Sequence, residues 1–133
     1  MDFTTQNSQE VVPKPWGKEI IFTPKNLQRT GKLLCINAGK RLSFQYHDQK
    51  EETLCLINGQ AKLWLEDAKG EIQKIDMEPQ KGYTVVPMQK HRLEAVTDCM
   101  VAEVSSPEIG TTFRIEDDFS RPNENLDILI KNR

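Results

Sequence analysis

Between residues 18 and 115 the chain is a succession of short apolar runs. Each alternates or is rich in β-branched and aromatic residues, and each ends at or within two residues of glycine, proline, asparagine or aspartate. The runs cover residues 18–22, 32–37, 41–47, 53–57, 60–66, 71–77, 83–86, 91–96, 99–105 and 111–115. Successive side chains of a strand point to opposite faces, so apolar/polar alternation marks a strand with one buried face. No comparable stretch carries a helical period. About ten short strands at close, even spacing predict an all-β sandwich or barrel, and closure of the sheets also removes exposed edges. At 133 residues the chain fits one domain large enough to bury a core. No repeat, low-complexity tract or linker divides it.

The ends are less regular. Residues 1–12 read as a loose, polar tail. Residues 13–17 are punctuated by Pro13, Pro15 and Gly17, which forbids a helix, and Trp16 is large enough to anchor this arm to the body. The domain is expected over residues 13–121. Residues 122–133 form a charged, turn-rich C-terminal tail on or near the barrel, with an apolar patch at 127–130 that suits a final turn of helix or strand. Eighteen basic and twenty acidic side chains are interspersed, with no block of like charge to suit nucleic acid or a membrane surface. No run is long and apolar enough to span a bilayer, and the polar N-terminus has no secretory pattern. Cys35, Cys55 and Cys99 are far apart and odd in number, which fits reduced thiols in a cytoplasmic protein.

One stretch, residues 39–59, carries chemistry. Period two puts Arg41, Ser43, Gln45 and His47 on one face and Leu42, Phe44 and Tyr46 on the other. Glu52 follows across the polar turn 48–50, in which Lys50 reads as a solvated residue. An amide oxygen, an imidazole nitrogen and a carboxylate oxygen brought together can hold a divalent cation. The same pattern also suits a plain hairpin with one wet face. His91 is the only other histidine. It opens a strand with Leu93 and Ala95 on its own face. If a barrel sets that strand beside Gln45 and His47, then Gln45, His47, Glu52 and His91 supply four ligands from three strands.

The spacing G39-x5-Q45-x-H47-x4-E52-x6-G59 resembles the first motif of the cupin superfamily, with Gln45 in place of the more usual histidine. Gly82 and His91 match the ends of the second motif, here two residues shorter and without its turn glycine at Pro87-Met88-Gln89. Pro15-Trp16-Gly17, G-K-R-L-S-F-Q-Y-H (39–47), E-E-T-L-C-L-I-N-G (51–59), H-R-L-E (91–94) and R-I-E-D-D-F-S-R (114–121) are similar to the cupin part of type II mannose-6-phosphate isomerases and to small stand-alone cupins like them. Phe119 and Ser120 replace a tyrosine and a glycine of that family's end motif. The resemblance implies a double-stranded β-helix (jelly-roll barrel), a Gln45/His47/Glu52/His91 metal quartet, one divalent ion (Zn, Mn, Fe or Ni) and aldose–ketose isomerisation.

Such a reaction needs a Lewis acid, a base beside the C1–C2 edge and a clamp for the far end of the sugar or sugar phosphate. A neutral Gln45 and one carboxylate leave net positive charge on the ion, which suits an enediolate. Arg41, roughly 13 Å along the strand from the ligands, and Arg114 and Arg121 in the end motif are candidate phosphate clamps. Each has an alternative reading as an ion pair, Arg41 with Glu103 and the other two with Asp117 or Asp118. Glu103 is the candidate base, since Val101, Glu103 and Ser105 share a face that could point inward, though it could equally meet solvent. A non-catalytic cupin binding a sugar or small anion is the alternative function, and an oxygenase ranks below both because only two histidines are present. If the Leu42/Phe44/Tyr46 face is left uncovered, a homodimer would bury it.

Overall fold

A computed structural model gives the fold and describes residue 3 and residues 6–125. Eleven strands run in order: β1 (Glu10–Lys14), β2 (Gly17–Ile21), β3 (Thr30–Ile36), β4 (Phe44–His47), β5 (Glu52–Asn58), β6 (Ala61–Glu66), β7 (Ile72–Asp76), β8 (Gly82–Val85), β9 (His91–Ala95), β10 (Cys99–Ser105) and β11 (Thr112–Glu116). The ten expected runs reappear as β2 to β11, with ends shifted by a few residues at most. The tail reading is corrected over residues 10–12. These residues belong to β1, which pairs antiparallel with β2 at the edge of its sheet. Pro13 is tolerated there because an edge strand need not donate on its open side.

The strands form two antiparallel sheets, β1-β2-β3-β10-β5-β8 and β11-β4-β9-β6-β7. Their inner faces enclose one apolar cluster that includes Trp16, Leu34, Ile36, Leu54, Leu56, Leu63, Val85, Leu93 and Val101. Trp16 is buried there, as its size suggested. Period two accounts for the assignment: Lys32, Leu34 and Ile36 of β3 face inward, as do Val101, Glu103 and Ser105 of β10. The cluster fills one part of the interior. Polar side chains line the remainder, and that remainder is the site.

Residues 39–59 do not form a hairpin. β4 lies in one sheet and β5 in the other, so the turn between them carries the chain from one sheet to the other. The alternation also breaks before β4. Arg41 makes an isolated bridge to Glu94, and Leu42 packs against the core. Phe44 and Tyr46 are covered in part from within the chain, Phe44 by Trp64 at a centroid separation of 6.2 Å and Tyr46 by a stacked Phe113 at 4.8 Å. Gly59 ends the stretch with φ +82°, and a Cβ there would lie 2.2 Å from the Asp98 carbonyl oxygen. Only glycine fits that crossing.

Residues 122–125 lie along β11, where Glu124 pairs with Thr112. The apolar patch at 127–130 falls outside the described residues. The three cysteines are free thiols. Among the described residues no helix is long and apolar enough to cross a membrane. Leu63 is fully buried at the centre of the cluster. Leu63→Ala is expected to lower the unfolding free energy by about 2–5 kcal/mol, read from chemical denaturation, with the folded state retaining its β circular dichroism.

Candidate metal centre and its charged wall

β4 and β9 are neighbours in one sheet, with Gln45 opposite His91, while β5 approaches from the other sheet. This brings His47, Glu52 and His91 together. One ligand atom from each lies within 4.8 Å of the others, and all three residues are buried. Glu52 Oε1 is 2.9 Å from His91 Nε2 and 3.6 Å from His47 Nε2.

The outer nitrogens of the rings are fixed by neighbours. His91 Nδ1 lies 3.0 Å from the Gln89 carbonyl oxygen, which can only accept, so this nitrogen carries the proton. In the neutral ring Nε2 then presents a lone pair to the Glu52 carboxylate. Nε2 is buried and makes no hydrogen bond. A lone pair facing a carboxylate oxygen at 2.9 Å is repulsive unless a proton or a cation lies between them, so the donor set fits a divalent ion. His47 Nδ1 meets Thr112 Oγ1 at 2.8 Å, which leaves its Nε2 for the interior. Burial pulls the His47 pKa down and favours the neutral ring that a metal requires. Burial pushes the Glu52 carboxyl up, but Lys50 and the two imidazoles outweigh it and hold the group well below the usual carboxylate range.

The turn before His91 achieves its shape without the glycine of the family motif. Met88 takes the left-handed conformation, φ +71°, and its N–H donates to the His47 carbonyl at 2.7 Å. The Gln89 side chain closes the turn, accepting from Val86 N–H and donating to the Glu66 carbonyl.

Gln45 lies beside the trio, with its amide nitrogen toward it. Its Oε1 accepts from Ser43 Oγ at 2.6 Å, and its Nε2 faces His47 Nε2 at 3.5 Å. The amide oxygen is thus turned away from the ring nitrogens. A half-turn of the amide would exchange the two atoms and offer the oxygen.

Lys50 is the largest correction. It was expected in solvent, yet it is 5% exposed and lines the same cavity. Its ammonium lies 3.6 Å from Glu52 Oε2, 3.3 Å from Glu103 Oε2 and 3.4 Å from Glu108 Oε1. Burial alone would lower its pKa, but the charges of Glu103, Glu108, Glu52 and Glu19 raise it well above the ordinary value. The turn 48–50 reads as polar because it bridges two sheets, and its lysine enters the barrel to meet acids that are distant in sequence. Glu103 faces inward, which settles the two orientations its strand position left open. Burial, with help from the Glu52 charge, pushes its pKa up to about 7 against the opposing pull of Lys50 and Lys32.

Three further wall residues had no sequence signal that separated them from surface charge. Lys32 on β3 lies 3.7 Å from Glu19 on β2 and 2.5 Å from Glu108. Glu108 belongs to the loop after β10. The only clue was the inward face that Lys32 shares with Leu34 and Ile36.

The three arginines of the expected clamp are divided. Arg41 lies on the outer face, where its guanidinium binds Asp118 through Nε at 2.7 Å and approaches Glu116 at 3.3 Å. It also sits over the Trp64 ring, as Arg92 does. The break in alternation at residue 42 put it there. Arg114 and Arg121 do line the cavity. Arg114 is held by Glu124, the Pro122 carbonyl and Ser43 Oγ. Arg121 is held by Asp117, through Nε and Nη2.

No protein-family model and no curated protein matches the chain. Solved structures do. The chain is similar to KdgF from Halomonas sp., with TM-score 0.61 and 17% identity over 75% of this chain and 86% of that one. It is similar to the Bacillus subtilis oxalate decarboxylase with Mn(II) centres, with TM-score 0.67 and 15% identity over 86% of this chain and 34% of that one. It is also similar to Streptomyces Pac13, a nucleoside dehydratase, with TM-score 0.63 and 11% identity over 79% of this chain and 83% of that one. The chain therefore spans about a third of the oxalate decarboxylase. Together with the two antiparallel sheets, these likenesses establish the cupin fold that the sequence motifs implied. The finer likeness to mannose-6-phosphate isomerases rests on the motifs alone.

His47→Ala is expected to abolish stoichiometric metal uptake, measured by elemental analysis after loading and desalting. Thr112→Val removes only the partner of His47 Nδ1, and is expected to weaken metal affinity by about 10–100-fold while the fold survives.

Proposed function

We propose that the chain is a metal-dependent enzyme of the aldose–ketose isomerase type, acting on a sugar or sugar phosphate. The observation that carries this reading is the convergence of His47, Glu52 and His91 on a cavity whose wall also holds the buried Glu103. The motifs shared with mannose-6-phosphate isomerases support the same choice.

A divalent cation held by His47, Glu52 and His91, with Gln45 as a fourth ligand after its amide turns, would polarise a carbonyl or hydroxyl oxygen as a Lewis acid. The chain's own groups supply the rest. Thr112 and the Gln89 carbonyl hold the two imidazoles so that their Nε2 atoms face the interior. Glu103 serves as the base that takes a proton from one carbon and returns it to the next. Lys50, 3.3 Å from Glu103 Oε2, orients that carboxyl. Leu34, Leu54, Leu93 and Trp16 form the apolar side of the cavity and limit the entry of water.

A second reading is a metal cupin that binds a sugar or small anion without turnover. The cavity volume, about 90 Å³, favours the small anion of this reading over a whole sugar, because ligand pockets commonly enclose about 300–1,000 Å³. Isomerisation then requires the mouth to widen around the substrate.

Metal-loaded protein is expected to interconvert at least one aldose–ketose pair in a panel of free and phosphorylated sugars, followed by chromatography. Glu103→Gln is expected to lower kcat by about 10²-fold or more with metal content unchanged. Silence across the whole panel at full metal occupancy would favour the binding protein instead.

A further inference from the structure

Lys32 and Lys50 form a pair of buried ammonium groups beside the metal-competent trio. Each is 5% exposed, and both line the same cavity as His47, Glu52 and His91. Lysines are almost never buried to this degree unless paired. Three of their partners are carried by strands: Glu19 on β2, Glu52 on β5 and Glu103 on β10. The fourth differs in kind. Glu108 comes from the loop between β10 and β11, and its Oε1 reaches in between the two lysines, 2.5 Å from Lys32 Nζ and 3.4 Å from Lys50 Nζ.

We propose that Lys32 and Lys50 form an anion-binding subsite for a carboxylate or phosphate group of the substrate, and that Glu108 fills this subsite when no substrate is bound. The identification of its ligand as part of a substrate rests on the proposed reaction at the adjoining trio. The subsite itself rests on the lysine pair.

The charge balance supports an exchangeable anion. When Glu52 is engaged by a cation, Glu19 and Glu103 remain to balance the two lysines, and the ion still carries more charge than Glu52 offsets. Withdrawal of Glu108 therefore leaves this part of the cavity net positive. An incoming oxyanion replaces the lost charge and the lost hydrogen bonds together. Within the same wall, Glu103 Oε2 is buried and makes no hydrogen bond among the described residues, although Lys50 Nζ lies 3.3 Å away. A hydroxyl of the same ligand seated there could donate to this unused acceptor, while its oxyanion meets the lysines. The arginines expected to take this role are committed elsewhere. Arg41 is outside the cavity, and Arg114 and Arg121 are each held by an acid.

The loop is built to release Glu108 without disturbing the sheets. Both of its ends are tied to the turn that carries Lys50. Ser106 N–H donates to the Glu51 carbonyl at 3.1 Å, and Thr111 N–H to Asp48 Oδ1 at 2.7 Å. Between these ties, Ile109 is exposed and Gly110 takes a left-handed φ of +70°. Movement confined to residues 107–110 is enough to lift the carboxylate.

The test uses protein loaded with a divalent cation, the state in which withdrawal of Glu108 leaves the subsite net positive, and no sugar is added, so that turnover does not enter the measurement. Sodium acetate and inorganic phosphate are titrated separately at constant ionic strength, with chloride as control, and binding is read by calorimetry and by thermal protection. Glu108→Gln is expected to bind one or both anions at least tenfold more tightly than the wild type. Adding Lys32→Met is expected to remove that binding. The acetate and phosphate arms show which oxyanion the subsite prefers. Equal affinity in wild type and Glu108→Gln overturns the proposal, as does binding that persists after Lys32→Met. Should Glu108→Gln fail to fold, the wild type carries the test by NMR. High phosphate must then shift the amide resonances of residues 106–110, and unmoved resonances overturn the proposal. Metal uptake, measured in parallel, reports separately on the trio.

Discussion

The Glu52 carboxylate joins two charge systems, and much of the interior depends on its being buried between them. One oxygen faces the imidazoles of His91 and His47, and the other faces the Lys50 ammonium. An isolated carboxylate would be neutralised at this depth, because desolvation penalises its charged form. The Lys50 ammonium does most to keep it ionised. The ionised group in turn gives the rings a negative neighbour and gives Lys50 a reason to leave solvent. Beyond Lys50 the system continues through Glu103 and Glu108 to Lys32 and Glu19. The result is a polar half of the barrel interior, standing against the apolar half centred on Leu63.

This arrangement follows from how consecutive strands are used. β4 and β5 are separated by only a short turn, yet they belong to opposite sheets. A hairpin would have put Gln45, His47 and Glu52 on a wet surface. The crossing puts them face to face inside. The same crossing swings Lys50 inward, and the loop after β10 binds back onto the turn through Asp48 and Glu51. The metal-competent trio and the lysine pair are thus neighbours because one turn carries parts of both.

Much of the fold was legible in the sequence. Period-two alternation and turn residues marked ten of the eleven strands, because an antiparallel strand with one buried face writes that pattern directly. β1 was missed because an edge strand punctuated by proline has little alternation to read. His47, Glu52 and His91 were legible through their spacing in the resemblance. Arg41 was misassigned because alternation was carried through residues 41–43, where Arg41 makes an isolated bridge and the ladder of β4 has not begun. Lys50 and Glu108 were illegible for another reason: a charged residue in a turn or loop looks the same whether it meets water or a buried counter-charge.

The sequence by itself determined that the chain folds as closed β-sheets and which side chains could offer metal ligands. Both are local properties, set by side-chain alternation and by donor type. Only the tertiary structure decided which charges are buried, that Lys32, Lys50 and Glu108 share one cavity, and that the three arginines are already paired. Those outcomes depend on which distant carboxylate lies within a few ångströms of each cation. Electrostatic energy at that range is fixed by three-dimensional distance and desolvation, and neither is written in the local order of residues.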